Sequence, residues 1–120
     1  INSFCNIGKN ENPENRNLPK VAITESNFLI YISRALIPQS KKDLSNYVFK
    51  KQVCIYAFPK EHLQEYGTNK FKTPLEEIED IELLRLVEKS FEVQMVEVTG
   101  SSIAVDTPED LAKVMEELDD

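Results

Sequence analysis

Six consecutive apolar residues, Val53, Cys54, Ile55, Tyr56, Ala57 and Phe58, closed off by Pro59, set the strongest constraint on how this chain can fold. A run this short reads as a strand. Without polar alternation it reads as one covered on both faces, and therefore central in a sheet. Cys54 within it is expected to be a small buried hydrophobe. Partner strands lie upstream, where residues 20–24 and 28–33 are β-rich and only Glu25, Ser26 and Asn27 separate them, the spacing of a hairpin. Downstream, residues 93–98 alternate with period two, as a strand with one covered face does, and 103–105 read as a further short apolar strand.

Helices interleave with these strands. Pro59 to Tyr66 reads as a short helix stopped by Gly67. Thr73-Pro74-Leu75-Glu76 is a capping sequence opening the longest helix, whose Leu75, Ile78, Ile81 and Leu84, with Leu83, Leu86 and Val87, form a broad buried stripe. A second Thr-Pro start at Thr107 leads into a final helix with Leu111, Val114, Met115 and Leu118 on one apolar face. Residues 2–17 contain six Asn together with Gly8 and Pro13, a composition that favours turns, so 1–17 is expected to be a flexible Asn-rich arm. The remainder, 18–120, is one α/β (or α+β) unit with a mixed sheet and flanking helices. A chain of 120 residues has room for a single core, and its arm and Lys-rich connection bury little, so a partner surface is expected.

Charge is divided along the chain. Residues 1–72 carry 11 basic and 6 acidic side chains, and residues 73–120 carry 3 basic and 15 acidic. The net charge of -7 argues against general affinity for nucleic-acid phosphates. No apolar run approaches the ~18 residues that cross a bilayer, and the chain is expected to be soluble. The chain begins with Ile1 and not with Met, and nothing at its start has the basic-then-apolar pattern of a signal peptide, so it is expected to be the later piece of a longer chain. Cys5 and Cys54 match no zinc or disulfide spacing, which makes a reducing cytoplasm the expected compartment.

Candidate chemistry is sparse. There is no glycine-rich phosphate loop, no Ser/His/Asp or Cys/His set, and His62 has no catalytic company, so no self-sufficient catalytic centre is expected. Asp106 stands between the short apolar strand and a helix start, where α/β proteins present ligand groups. It can cap the helix or hold magnesium, which needs only one or two carboxylates when phosphates arrive with the ligand. Arg34, Lys41 and Lys42 flank Ile37-Pro38 and suit an anion, as they also suit a solvated surface. Glu82 sits past the acidic first turn of a helix otherwise rich in apolar contacts.

Four segments in this order, Ser33-Arg34-Ala35-Leu36-Ile37-Pro38, Lys51 to Phe58, Pro74-Leu75-Glu76-Glu77-Ile78-Glu79 to Arg85, and Ser102-Ile103-Ala104-Val105-Asp106-Thr107-Pro108-Glu109-Asp110-Leu111, resemble the C-terminal half of CMP-Kdo synthetases (3-deoxy-manno-octulosonate cytidylyltransferases) and their acylneuraminate cytidylyltransferase relatives. The resemblance runs from about Leu18 to Leu118. It implies part of a Rossmann-like nucleotide-sugar transferase fold, bearing the sugar-binding and dimerisation portion. It also implies transfer of CMP from CTP to the anomeric hydroxyl of a 2-keto-3-deoxy sugar acid, with Mg2+, in the cytoplasm, for bacterial lipopolysaccharide synthesis. By the same resemblance Asp106 is the metal-binding catalytic aspartate, and Tyr56 and Glu82 belong to the sugar pocket. Arg34 and Lys41 stand near the acidic sugar, although a Lys cannot reproduce a bidentate Arg clamp.

Gln52 occupies a position where Kdo-specific members have histidine, and Leu83 one where they have glutamine. Both departures fall in the sugar pocket and leave the acid open between Kdo-like and nonulosonate sugars. The nucleotide-binding loop and first metal aspartate of the family have no counterpart in the sequence, so the chain alone is expected not to turn over CTP. The alternatives are a non-catalytic dimerisation or interaction domain of the same family, and a helix-binding module on the acidic second part.

Overall fold

The computed structural model describes residues 1–43, 46–68, 70–99 and 103–118. Five strands form one mixed sheet: β1 (Asn2–Asn6), β2 (Lys20–Ile23), β3 (Leu29–Ser33), β4 (Lys50–Tyr56) and β5 (Met95–Glu97), in the order β3-β2-β4-β1-β5. Helices α1 (Lys60–Thr68), α2 (Pro74–Glu79), α3 (Leu83–Glu88) and α4 (Pro108–Leu118) complete the fold. The β2-β3 hairpin forms as its spacing predicts, with Val21 opposite Ile32. All strand pairs are antiparallel except β1 with β5. The starts of the two outer strands, β3 and β5, meet each other: Phe28 bridges Gln94, Leu29 N–H donates to the Val93 carbonyl at 2.9 Å, and Met95 N–H to the Asn27 carbonyl at 2.7 Å.

The Asn-rich segment departs from its expected form as an arm. Asn2–Asn6 is an interior strand whose Phe4 and Cys5 are buried. Asn2, wholly buried, escapes the usual penalty for a polar side chain because its Nδ2 donates to the carbonyls of Val53 and Ile55 at 3.2 and 2.9 Å. Beyond β1 the turn chemistry is as read: Asn12 Oδ1 accepts from Glu14 N–H and Asn15 Oδ1 from Asn17 N–H.

β4 is central, but only part of its length is covered. Ile55 is 60% exposed and Cys54 is exposed, which corrects the reading of Cys54 as a buried hydrophobe. The apolar run reports a strand left uncovered at its C-terminal end, where consecutive Cys54 and Ile55 are both exposed. The expected long helix is two short ones broken at Asp80, which adopts the left-handed conformation (φ 51°). The freed carbonyls of Glu79 and Asp80 accept from Arg34 Nε at 2.6 Å and Nη2 at 3.0 Å, which supplies the partners a helix C-terminus lacks. The break leaves Ile78 80% exposed and sends Ile81, Leu83, Leu84 and Leu86 into the core with Phe4, Val21, Ile32, Val93 and Met95. α1 runs through Gly67 to Thr68 instead of stopping at Gly67, and residues 103–105 form no strand. α4 forms as expected, yet buries no side chain: Leu111, Met115 and Leu118 are exposed. Gly100, Ser101 and Ser102, read as a strand break, lie outside the described residues. Among the described residues no helix is long and apolar enough to cross a membrane.

Candidate functional site

The α2-α3 corner and the end of β4 enclose a cleft of about 220 Å³ lined by Tyr56, Phe58, Leu63, Tyr66, Glu82, Leu83 and Leu86. β4 delivers Tyr56 and the start of the following turn delivers Phe58, their rings stacked with centroids 5.8 Å apart. α1 contributes Leu63 and Tyr66 from one face at i, i+3 spacing. Glu82 occupies the position before α3, so the helix break at Asp80 is what aims it at the cleft rim.

The corner is held by a buried ion pair. Arg85 Nε and Nη2 meet the two carboxylate oxygens of Glu76 at 2.7 and 2.6 Å, and Glu76 is 1% exposed. The same guanidinium lies 4.1 Å from the Tyr66 ring centroid, a cation–π contact that seats this cleft wall. Behind Tyr56, Gln52 Nε2 donates to the Tyr56 hydroxyl at 2.9 Å and to Asn2 Oδ1 at 3.1 Å.

Electrostatics keep both phenols protonated. Burial, then Cys54 and Glu82, push the Tyr56 hydroxyl up to about 12, against the opposing donation from Gln52. Burial likewise raises Tyr66, with Arg85 opposing it and Glu76 and Glu82 adding to it. An apolar floor with two neutral phenols and one exposed carboxylate can stack on and hydrogen-bond a polyhydroxylated ligand. Among the described residues this cleft holds no nucleophile-and-base pair.

Of the residues singled out in the sequence, Gln52, Tyr56 and Glu82 come together here. Arg34 does not line the cleft: besides the Glu79 and Asp80 carbonyls, its Nη1 donates to the Arg16 carbonyl at 3.1 Å. Lys41 is exposed on the connection after β3 and does not line it either. Asp106 lines a separate depression of about 570 Å³ between residues 8–18 and α4. Its capping role passes to Thr107, whose Oγ1 accepts from Asp110 N–H at 3.2 Å while Asp110 Oδ2 accepts from Thr107 N–H at 3.1 Å.

The exposed Asp106 carboxylate is thereby left open to a ligand. No group of three or more His, Cys, Asp or Glu side chains placed to hold a metal exists among the described residues. The donor set fits magnesium as one carboxylate among water and phosphate oxygens, and does not fit a metal held by protein groups alone.

Asn2 and Tyr66 carry no sequence signal for this site. Asn2 meets Gln52 across 50 residues of chain, and Tyr66 enters only because α1 packs beside β4.

Comparison with known proteins places this geometry in a family. The 3-deoxy-manno-octulosonate cytidylyltransferase of Fusobacterium nucleatum is 37% identical over 105 residues, covering 88% of this chain and 42% of that protein. The enzyme of the same name from Nitratiruptor is 40% identical over 98 residues, covering 82% of this chain and 40% of its own length. A solved structure of CMP:2-keto-3-deoxy-manno-octonic acid synthetase complexed with CTP superposes with a TM-score of 0.79 at 27% identity, over 98% of this chain and 48% of that one. The chain thus spans about two fifths of the length of the curated relatives it matches. With the cytidylyltransferase family matching residues 2–113 as well, the chain belongs to that family.

Proposed function

We propose that this chain forms the sugar-acid side of a cytidylyltransferase, which transfers CMP from CTP to the anomeric hydroxyl of a 2-keto-3-deoxy sugar acid. The observation that carries the reading is the family match over residues 2–113, within which Gln52, Tyr56 and Glu82 converge on one cleft. In the reaction the anomeric oxygen attacks the α-phosphorus, the new P–O bond forms as the bond to pyrophosphate breaks, and the hydroxyl proton leaves to solvent or a base. Tyr56 and Tyr66 donate to ligand oxygens, Glu82 accepts from sugar hydroxyls, and the apolar walls exclude water.

Asp106 supplies one carboxylate to magnesium, which when bound neutralises phosphate charge. Arg34 acts through the α2 carbonyls it holds, and Lys41 adds positive charge on the connection after β3. The nucleotide-binding loop comes from the part of the family fold that this chain does not span, the working protein is a cytoplasmic homodimer, and residues 18–120 are its sugar-binding and dimerisation portion. The chain alone is inactive toward CTP.

A second reading, an interaction domain without turnover, is favoured by the exposed Leu111, Met115 and Leu118 of α4 together with Ile30 and Ile55 on the sheet. Pyrophosphate release from CTP over a panel of keto sugar acids separates the two. The chain is assayed alone and joined to the preceding residues of the Fusobacterium relative. Activity in the joined protein only, lost in Asp106→Asn with the fold retained, supports the transfer reading. A folded joined protein inactive with every acid supports the interaction reading, and retained magnesium-dependent activity in Asp106→Asn removes that residue from the metal.

A further inference from the structure

The hydrogen bonds behind the cleft run in one direction. Their origin is fixed by chemistry: the backbone carbonyls of Val53 and Ile55 can only accept, so the group that Asn2 turns toward both must be its NH2. Asn2 Oδ1 is then the atom that faces Gln52, at 3.1 Å, and it too can only accept. Gln52 must answer with its own NH2, whose second hydrogen points at the Tyr56 oxygen 2.9 Å away. The Tyr56 oxygen is occupied as an acceptor on its buried side, so its own hydrogen turns to the other side, where the Cys54 thiol, a weak acceptor two residues back on β4, and the cleft lined by Phe58, Tyr66 and Glu82 lie. Asn2 is wholly buried and Gln52 is 8% exposed, so water does not compete for the bond between them.

We propose that Asn2 and Gln52 are positioning residues, a one-way relay from the β4 backbone that makes the Tyr56 hydroxyl a fixed donor into the cleft, so that the ligand atom it meets is an acceptor oxygen. The ligand class rests on the sugar-acid reading above, where a carboxylate or ring oxygen fits this role; the direction of the relay does not. No group in the relay titrates between pH 5 and 8, and burial keeps the phenol protonated throughout that range. Among the other groups packed on this cleft, Glu82 just before α3 and Cys54 on β4 act on Tyr56, and the buried Glu76–Arg85 pair on α2 and α3 acts on Tyr66.

Two readouts test it on the intact chain. Nitrogen-edited NMR of the Gln52 side-chain amide is expected to show contacts from one amide hydrogen to the Tyr56 ring, with Tyr56→Phe shifting that hydrogen and sparing its twin. Absence of those contacts, or both hydrogens unmoved in Tyr56→Phe, overturns the relay whatever the ligand is. The second readout is affinity for 3-deoxy-manno-octulosonate. Gln52→Glu has no second hydrogen to give, so Tyr56 donates inward and affinity falls about tenfold or more, as in Tyr56→Phe. Gln52→Met keeps the volume and leaves the hydroxyl free to turn outward, so it loses clearly less. Equal losses in Gln52→Glu and Gln52→Met overturn the donor role. An intact NMR signature in wild-type protein that does not bind the acid refutes the sugar-acid reading and leaves the relay standing.

Discussion

Removing Arg85 is the most informative test of what holds the cleft together. Arg85→Met deletes two charge-assisted hydrogen bonds of 2.6 and 2.7 Å and leaves Glu76, 1% exposed, with the Thr73 N–H at 3.2 Å as its remaining hydrogen bond among the described residues. An uncompensated carboxylate at such a site costs ~3 to 5 kcal/mol, a fifth or more of the ~5 to 15 kcal/mol that holds a domain of this kind. In urea, with a slope of ~1 to 3 kcal/mol per molar, the midpoint falls by ~1 to 5 M. Glu76→Leu/Arg85→Met removes both charges and is expected to recover ~2 kcal/mol or more of the loss. The Arg85 hydrogen bond, against the opposing effect of burial, holds the Glu76 carboxyl below the usual carboxylate range. A depressed carboxylate contributes stability above the ordinary range, ~4.3, and loses it as pH falls through the native value. The gap between wild type and Arg85→Met therefore narrows on acidification. A loss under ~1 kcal/mol, a double variant no better than Arg85→Met, or a gap that widens in acid would refute the reasoning.

Other perturbations follow from the same contacts. Leu84, fully buried at the centre of the core, is expected to cost ~2 to 5 kcal/mol as Leu84→Ala, read as a lowered urea midpoint with unchanged slope. Asp80→Val places a β-branched residue at φ 51° and costs ~1 to 2 kcal/mol, whereas Asp80→Gly loses only an exposed ion pair to Lys72 and stays within ~1 kcal/mol of wild type in the same assay. Glu79 is penalised by burial but held below the usual range by the Ser33 hydroxyl at 2.6 Å and the Arg34 N–H at 2.9 Å, so Glu79→Gln blunts the fall in stability on acidification. A thiol reagent is expected to modify Cys54 in native protein and Cys5 only on unfolding; rapid reaction of both thiols contradicts the buried β1.

What the sequence made legible was local. The β2-β3 hairpin, the strand at β5 and the start of α2 at Thr73 each follow from residues within a few positions of one another, and each forms. What it hid depends on distant partners. Asn2 reads as turn-forming until the carbonyls of β4, more than 50 residues away, take its amide hydrogens. The break at Asp80 carries no Gly or Pro signal because the partner that makes it possible, Arg34, is on the far side of the sheet sequence. Cys54 and Ile55 are as apolar as a covered strand would be, and pattern alone does not tell a covered face from one left open. The site divides the same way: Gln52 and Tyr56 are four residues apart on one strand, while Asn2 and Tyr66 required the fold.

The central claim, that this chain carries the sugar-acid side of a cytidylyltransferase, is tested most directly by titrating 3-deoxy-manno-octulosonate into isotope-labelled chain without CTP and following every backbone and side-chain amide. The account predicts saturable shifts centred on Gln52, Tyr56, Tyr66 and Glu82, with the midpoint moved about tenfold or more to higher concentration in Tyr56→Phe. Shifts confined to the depression around Asp106, or none at all with the fold intact, would contradict it.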